Sequence, residues 1–295
     1  MSGPAVTWLS DRRRLHMNHG PIDLVIEAFG PEEERQAAYA QAAERFETIL
    51  EELVSELSSL RCPVGRTPRA FRFATARRME AATLRHSQTF VTPMAAVAGS
   101  VADEILAAMV SGRRLRRAYV NNGGDVALYL ASGERMSAAI AGTGHGFADR
   151  LTIAAADPVR GIATSGWRGR SHSLGIADAV TILAENAAAA DVAATLIANA
   201  VDLPGHPGIV RIPALEIDPD SDLGNRLVTQ DVGPLSSTEI AAALERGLAM
   251  AIAMAERGHI HSAALFLRGE SRICGPLAAA GGNTNELPRR TICHA

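Results

Sequence analysis

Apolar and polar residues alternate along the segment PIDLVIEAF, residues Pro21–Phe29. Ile22, Leu24 and Ile26 occupy every second position, and successive side chains of a strand point to opposite faces of a sheet. A strand that buries one of its faces has this period of two. The segment is therefore predicted to be a partly buried β-strand.

After this strand the apolar residues change to the spacing of a helix, from Pro31 to about Leu60. They recur at intervals of three and four, which places them on one stripe of an α-helix. Proline suits the first turn, and the three glutamates that follow it lie at the positive end of the helix dipole. Further helices are predicted over Thr92–Gly112, from Ala187 to about Val201, and over Ser237–Arg257.

Short strand-like segments fill much of the chain between these helices. The stretch RAYVNNGGDVALYLA, residues 117–131, is typical of a hairpin, because Asn, Gly and Asp favour tight turns. Other short strands are predicted near residues 135–142, 148–156, 160–166, 178–184 and 261–269. Long helices that bracket a run of strands differ from the strict alternation of a doubly wound fold. The pattern predicts an α+β domain with a mainly antiparallel sheet and helices packed on its faces.

Composition and charge narrow the possible partners. The formal net charge of −3 gives no general attraction to nucleic acid or to acidic membranes, so neither is expected as a partner. The three cysteines are far apart, which argues against a disulfide framework or a structural zinc site. No window reaches the 18 or so apolar residues of a membrane span, and the first residues lack the apolar stretch of a signal peptide. A cytoplasmic location is expected.

The predicted organisation has three parts. Residues 1–20 form an N-terminal segment, residues 21–272 form a single domain, and residues 273–295 form a C-terminal tail.

The helix AAAADVAATLIANA, Ala187–Ala200, carries the first candidate for chemistry. Asp191 and Thr195 are four positions apart, so they project from the same face one turn apart. A carboxylate and a hydroxyl are hard oxygen ligands, and Mg²⁺ binds one or two carboxylates while it keeps waters and bridges to substrate phosphates. The alternative is that both residues lie on the exposed face of an amphipathic helix.

A Gly/Ser/Thr turn precedes this helix. Thr164, Ser165 and Gly166 could present backbone N–H groups and hydroxyls to a phosphate, although an ordinary polar turn has the same composition. The sequence GTGHG at residues 142–146 lacks the strand–helix context of a dinucleotide fingerprint and is not interpreted as one.

Several motifs in this order resemble those of the ApbE-like superfamily, whose best-known members are FAD:protein FMN transferases. The matching stretches are VNNGGDV (Val120–Val126), GIATSG (Gly161–Gly166), His172, AVTILA (Ala179–Ala184) and ADVAAT (Ala190–Thr195). The resemblance covers roughly residues 20–270. It implies an ApbE-like, T-fold-related domain that acts on a small flavin or other nucleotide.

The resemblance also implies roles for individual residues. Asp191 and Thr195 correspond to residues that hold magnesium beside the FAD diphosphate, and a backbone carbonyl near Val97 would be a third ligand. The hairpin residues Asn121, Gly123 and Gly124, together with the turn Thr164–Gly166, are the candidate cofactor-binding groups. His172 is the candidate catalytic residue, because an imidazole can orient a phosphate or act as an acid or base near neutral pH.

Some positions depart from the transferase pattern. Ala98 stands where the transferases have a lysine, the loop after His172 is short, and aromatic residues make up only 4% of the chain. These departures indicate a short cytoplasmic UPF branch of the superfamily.

Three hypotheses about function remain open. The first is a Mg²⁺-dependent enzyme acting on a flavin or another nucleotide diphosphate. The second is a non-catalytic binding or accessory protein, and sulfur metabolism is one setting in which it could act. The third is a structural role in which the alanine-rich helices pack against a partner, as in a homodimer.

Overall fold

The computed structural model describes residues 3–139, 150–169, 171–276 and 292–293. Its residues fall into two compact units. Unit 1 comprises Met1–Met136, Ile153–Ala163 and Ala184–Val192. Unit 2 comprises Ser137–Thr152, Thr164–Leu183 and Ala193–Ala295. The range 21–272, predicted as a single domain, therefore contains parts of both units, and the GTGHG motif at 142–146 lies outside the described residues.

Unit 1 contains an antiparallel sheet whose spatial order follows the chain. Its first strands are β1 (Ala5–Trp8), β2 (Leu15–His19), β3 (Ile22–Phe29), β4 (Arg117–Asn122) and β5 (Asp125–Leu130). The strand β8 (Gly161–Ser165) pairs antiparallel with β5, with Gly161 opposite Ala127. The predicted strand at residues 21–29 is confirmed, and its residues Ile22, Leu24 and Ile26 are buried as the alternation requires.

Four α-helices lie wholly within the described part of unit 1. They are α1 (Glu32–Ser55), α2 (Leu57–Leu60), α3 (Ala74–Leu84) and α4 (Val97–Val110). Helices α1 and α4 pack against each other and against the strands, and the core that they form includes fully buried Leu24, Phe46 and Ile105. The first helix is shorter than predicted, because the backbone leaves helical geometry at Glu56 (φ −111°, ψ 7°) and α2 begins after it.

The expectation that no window of the chain is long and apolar enough for a membrane span is wrong for the segment that contains helix α4. The segment Pro93–Val110, a 3₁₀ turn followed by α4, has a mean hydropathy of 1.4 and is long and apolar enough to cross a membrane by length and composition alone. Half of this window is buried in the structure, where α4 packs against α1, α3, β4 and β5. Packing in the core of unit 1 accounts for its apolar composition. Thr92 caps the segment as predicted, since its hydroxyl accepts a hydrogen bond from the N–H of Met94 at 3.3 Å.

Unit 2 contains a second group of antiparallel strands. β12 (Ser262–Leu267) lies between β9 (Ala179–Ala184) and β13 (Glu270–Cys274), and α7 (Ser237–Glu256) packs on β12 and β13. Unit 2 also contains β10 (Ile209–Pro213), α6 (Ala214–Ile217), β11 (Leu227–Val232) and β14 (Ile292–Cys293), whereas β6 (Arg135–Ala139) and β7 (Arg150–Ala154) have residues in both units. Helix α5 (Ala187–Ala200) is continuous, with residues up to Val192 in unit 1 and the rest in unit 2.

The predicted α+β fold class, with a mainly antiparallel sheet and packed helices, is confirmed. One region differs from the sequence-based prediction. No element is predicted over residues 202–233, but β10 and β11 form an antiparallel pair there with a bulge between Val210 and Arg211. The two strands were not predicted because the Pro, Gly and Asp residues between them are typical of irregular structure.

Candidate functional site

The start of α4 and the start of α5 approach each other very closely in unit 1. A Cβ atom added to Gly99 would lie 2.3 Å from the carbonyl oxygen of Ala187 and 2.8 Å from the backbone nitrogen of Ala188. Real Cβ atoms do not reach such distances, so only glycine fits at this position. The small residues of both helices are therefore explained by backbone contact between the two first turns.

Each of these helices provides a carboxylate to the other. The Oδ2 atom of Asp191, in α5, accepts a hydrogen bond from the N–H of Gly99 at 2.9 Å. The two oxygens of Asp103, in α4, accept hydrogen bonds from the N–H groups of Ala187 (3.0 Å) and Ala188 (2.9 Å). The first turn of a helix leaves backbone N–H groups without partners and carries partial positive charge, so both carboxylates stabilise the turn that they contact.

The electrostatic surroundings of these two carboxyl groups differ. Loss of contact with water and the negative charge of Asp125 raise the pKa of Asp191 well above its ordinary value, and the N–H groups of Gly99 and Ala98 oppose this shift. Burial also raises the pKa of Asp103. The hydrogen bonds from the N–H groups of Ala188 and Ala187 and the positive charge of Arg78 lower it in part. The main charges that act on Asp191 are thus those of other carboxylates, and a bound cation would relieve their repulsion.

The hairpin between β4 and β5 lies beside the start of α4. The side-chain amide of Asn122, which is 8% exposed, donates a hydrogen bond to the carbonyl oxygen of Ala98 at 3.0 Å. Asn121 accepts a hydrogen bond from the N–H of Gly124 at 2.9 Å and so closes the turn. Gly123 (φ 63°) and Gly124 (φ 120°) occupy backbone conformations that favour glycine. Unit 1 therefore groups this turn, Asp125 and Asp191 around the first turn of α4.

The other predicted site residues belong to unit 2. The hydroxyls of Thr164 and Thr181 are 2.9 Å apart, which gives Thr164 a partner inside the fold. A Cβ on Gly166 would lie 2.4 Å from the carbonyl oxygen of Asp178, so this glycine is required for close backbone packing. Ser165, His172 and Thr195 are all half-buried.

The residues present suit magnesium by the chemistry of their donor atoms. Among the described residues there is no group of three or more His, Cys, Asp or Glu side chains that could hold a metal ion. Magnesium does not need one, because it usually binds one or two carboxylates and keeps several waters and substrate oxygens. Val97 is the first residue of α4, two positions before Gly99, whose N–H donates to the carboxylate of Asp191.

A family model described as AbpE bacteria matches residues 6–273 of the sequence. The chain belongs to this family. The resemblance to the ApbE-like superfamily, predicted from the motifs, is thereby confirmed.

Curated relatives are also similar over part of their length. The chain is 36% identical over 120 residues to a UPF0280 protein of Methanococcoides burtonii, covering 40% of this chain and 49% of that protein. It is 41% identical over 110 residues to a UPF0280 protein of Methanopyrus kandleri, covering 37% and 43%. The chain thus spans less than half the length of these curated relatives.

Two solved structures are similar over most of both chains. A variant of the flavin transferase ApbE from Vibrio cholerae has a TM-score of 0.49 and 11% identity, covering 94% of this chain and 97% of that one. The apo form of the flavinyl transferase ApbE from Pseudomonas stutzeri has a TM-score of 0.44 and 10% identity, covering 92% and 95%.

The sequence analysis missed Asp103 altogether, and it missed the packing role of Asn122. Asp103 caps α5, and Asn122 fixes the hairpin to α4. A signal for Asp103 exists in the spacing, because it follows Gly99 by four residues just as Asp191 follows Ala187 by four. The sequence alone could not show why this spacing matters, because the contact between α4 and α5 is visible only in the fold.

Proposed function

We propose that this protein binds a flavin or another nucleotide diphosphate together with Mg²⁺, and carries out transfer chemistry on it. The observation that supports this most directly is the position of Asp191, whose carboxylate lies at the first turn of α4 under the repulsion of Asp125. A divalent cation would offset that repulsion, and the diphosphate would supply the remaining oxygen ligands.

Each residue has a defined task in this proposal. Asp191, Thr195 and the backbone carbonyl of Val97 hold the ion, and when bound the ion neutralises charge that develops on the phosphates. Asn121, Gly123 and Gly124 position the nucleotide from the hairpin. The residues Thr164, Ser165 and Gly166 donate to phosphate oxygens, and His172 orients a phosphate or moves a proton.

A second candidate function is a binding or accessory protein that keeps the fold without the chemistry, in sulfur metabolism or elsewhere. Three observations favour it. Asp191 already has a structural partner in Gly99, Thr164 has one in Thr181, and Ala98 stands where the transferases have a lysine.

On either proposal the protein acts in the cytoplasm. Light scattering tests whether it forms a homodimer.

A thermal-shift titration tests the proposal. FAD, FMN and ADP are added to the protein with and without Mg²⁺, since a ligand that binds the native state raises its melting temperature. We expect a Mg²⁺-dependent increase with at least one diphosphate, FAD or ADP, and its loss when Asp191→Asn is combined with Thr195→Ala. When the ligand concentration is 100 times the dissociation constant, binding should stabilise the native state by about 2.7 kcal/mol.

Asp103→Asn is the matched control. It weakens the same helix contact from the opposite side and leaves the predicted ligands in place, so Mg²⁺-dependent binding should persist at a lower melting temperature. Equal binding by wild type and the double variant would contradict the proposal. Repeated turnover of FAD or ADP would exclude the accessory function.

A further inference from the structure

A cavity of about 160 Å³ lies in unit 1 beside the first turn of α5. It is lined by Arg78 and Ala82 of α3, by Arg85 directly after this helix, by Asp103 of α4, and by Glu185 and Asn186 in the segment that leads into α5. One enclosed water needs roughly 10 to 15 Å³ of such space, so the cavity accommodates on the order of ten water-sized groups. It suits a small metabolite and is too small for a dinucleotide.

Two arginines approach the cavity from the same side. Arg78 lies on α3 and Arg85 is the residue that directly follows this helix, still in helical geometry, so the two lie on one face about 10 Å apart along the helix axis. Arg78 uses its Nε atom to donate to Glu104 at 2.9 Å, which leaves the N–H groups of both terminal nitrogens for another acceptor. Arg85 contacts Glu185 through Nη1 at 2.6 Å, and both side chains are about half exposed at the rim.

The oxygens of Asp103 and Asn186 and the backbone donors beside this cavity are already engaged. Both oxygens of Asp103 accept N–H groups of the first turn of α5. The side-chain oxygen of Asn186 accepts the N–H of Ala189 at 2.8 Å, which leaves its amide nitrogen as a donor. Among the described lining residues, the groups that remain for a ligand are therefore N–H donors on two guanidiniums and one amide, beside the second carboxylate oxygen of Glu185.

We propose that this cavity binds a small molecule through a carboxylate or phosphate group, held by Arg78, Arg85 and Asn186. Guanidinium groups bind both of these oxyanions with two parallel hydrogen bonds. Glu185 pairs with Arg85 in the absence of the ligand and moves aside toward solvent when the ligand binds. The site does not use Asp191, Thr195 or Val97, so it is independent of the proposed nucleotide site.

Calorimetric titrations with sodium phosphate and with sodium succinate test this proposal, each against sodium chloride of equal ionic strength. We expect saturable binding of one of the two anions by the wild-type protein, and that anion identifies the chemical group recognised. Arg85→Gln should weaken binding at least tenfold. Ala82→Leu should also weaken it by filling the cavity without changing any charge.

Arg66→Gln is the matched control, because Arg66 is exposed and lies outside the cavity. Its affinity should equal that of the wild type. Circular dichroism shows whether each variant is folded, and if Ala82→Leu is not, Ala81→Leu replaces it, since Ala81 also lines the cavity and is exposed. The proposal is overturned if neither anion binds, or if the folded cavity variants bind as tightly as Arg66→Gln.

Discussion

Asp191 combines two roles at the scale of single residues. Its carboxylate stabilises the first turn of α4 through Gly99, and it is the residue to which the family resemblance assigns a metal ligand. The sequence identified this residue and its spacing from Thr195, because helix periodicity depends only on positions along the chain. It did not identify Asp103 or the packing role of Asn122, because their partners lie 84 and 24 residues away in sequence.

Gly99 provides a test at this scale. Alanine is favoured over glycine within a helix by about 1 kcal/mol, so Gly99→Ala would stabilise an isolated helix. In the folded protein the added Cβ would lie 2.3 Å from the carbonyl oxygen of Ala187, and backbone atoms cannot move aside cheaply. We expect a net decrease in the free energy of unfolding of about 2 kcal/mol or more.

Urea denaturation measures this change. Gly65→Ala is the control, because the nearest atoms to its added Cβ are 4.0 Å away. A Gly99→Ala protein as stable as wild type would show that α4 and α5 do not approach each other as closely as described.

At the scale of elements, the helices α4, α5 and α7 follow the predicted boundaries within a few residues. Their apolar stripes, caps and terminal glycines are local signals, so the sequence contains them. Two errors have physical reasons. The break at Glu56 between α1 and α2 has no Gly or Pro to mark it, and β10 and β11 become a ribbon only by pairing with each other.

The first turn of α7 predicts a dependence on pH. Ser236 and Glu239 form a capping box, with Glu239 accepting the N–H of Ser236 at 2.7 Å and also contacting His206. These hydrogen bonds lower the pKa of Glu239 from 4.5 to about 2. A lowered pKa means that the stabilisation is present above pH 4.5 and is lost as the pH falls toward 2.

Glu239→Gln should therefore reduce the melting temperature at pH 6, and its difference from wild type should shrink steadily between pH 4.5 and pH 2.5. Glu256→Gln, at the other end of α7, is the control for the general effect of removing one carboxylate. A difference between Glu239→Gln and wild type that stays constant over this range would mean that the cap does not depend on the charge.

At the scale of the whole molecule, the fold class could be predicted because it follows from the order of strands and helices. The division into two units could not, since neither unit is continuous in sequence. Part of the candidate site could not be predicted either, because its residues are distant in sequence and meet only in the folded structure. Asp125, Asn122 and Asp191 come together around α4 only after β4, β5 and α5 have assembled within unit 1.

The proposed function requires that Asp191 holds a divalent cation to which a nucleotide diphosphate binds. Electron paramagnetic resonance with Mn²⁺ as a spectroscopic substitute for Mg²⁺ tests it most directly, because protein-bound Mn²⁺ loses the sharp signal of the free ion. We expect one Mn²⁺ site per chain whose affinity increases when ADP or FAD is added, and whose occupancy falls at least tenfold in Asp191→Asn but not in Asp103→Asn. Binding of Mn²⁺ and nucleotide that is identical in wild type and Asp191→Asn would contradict it.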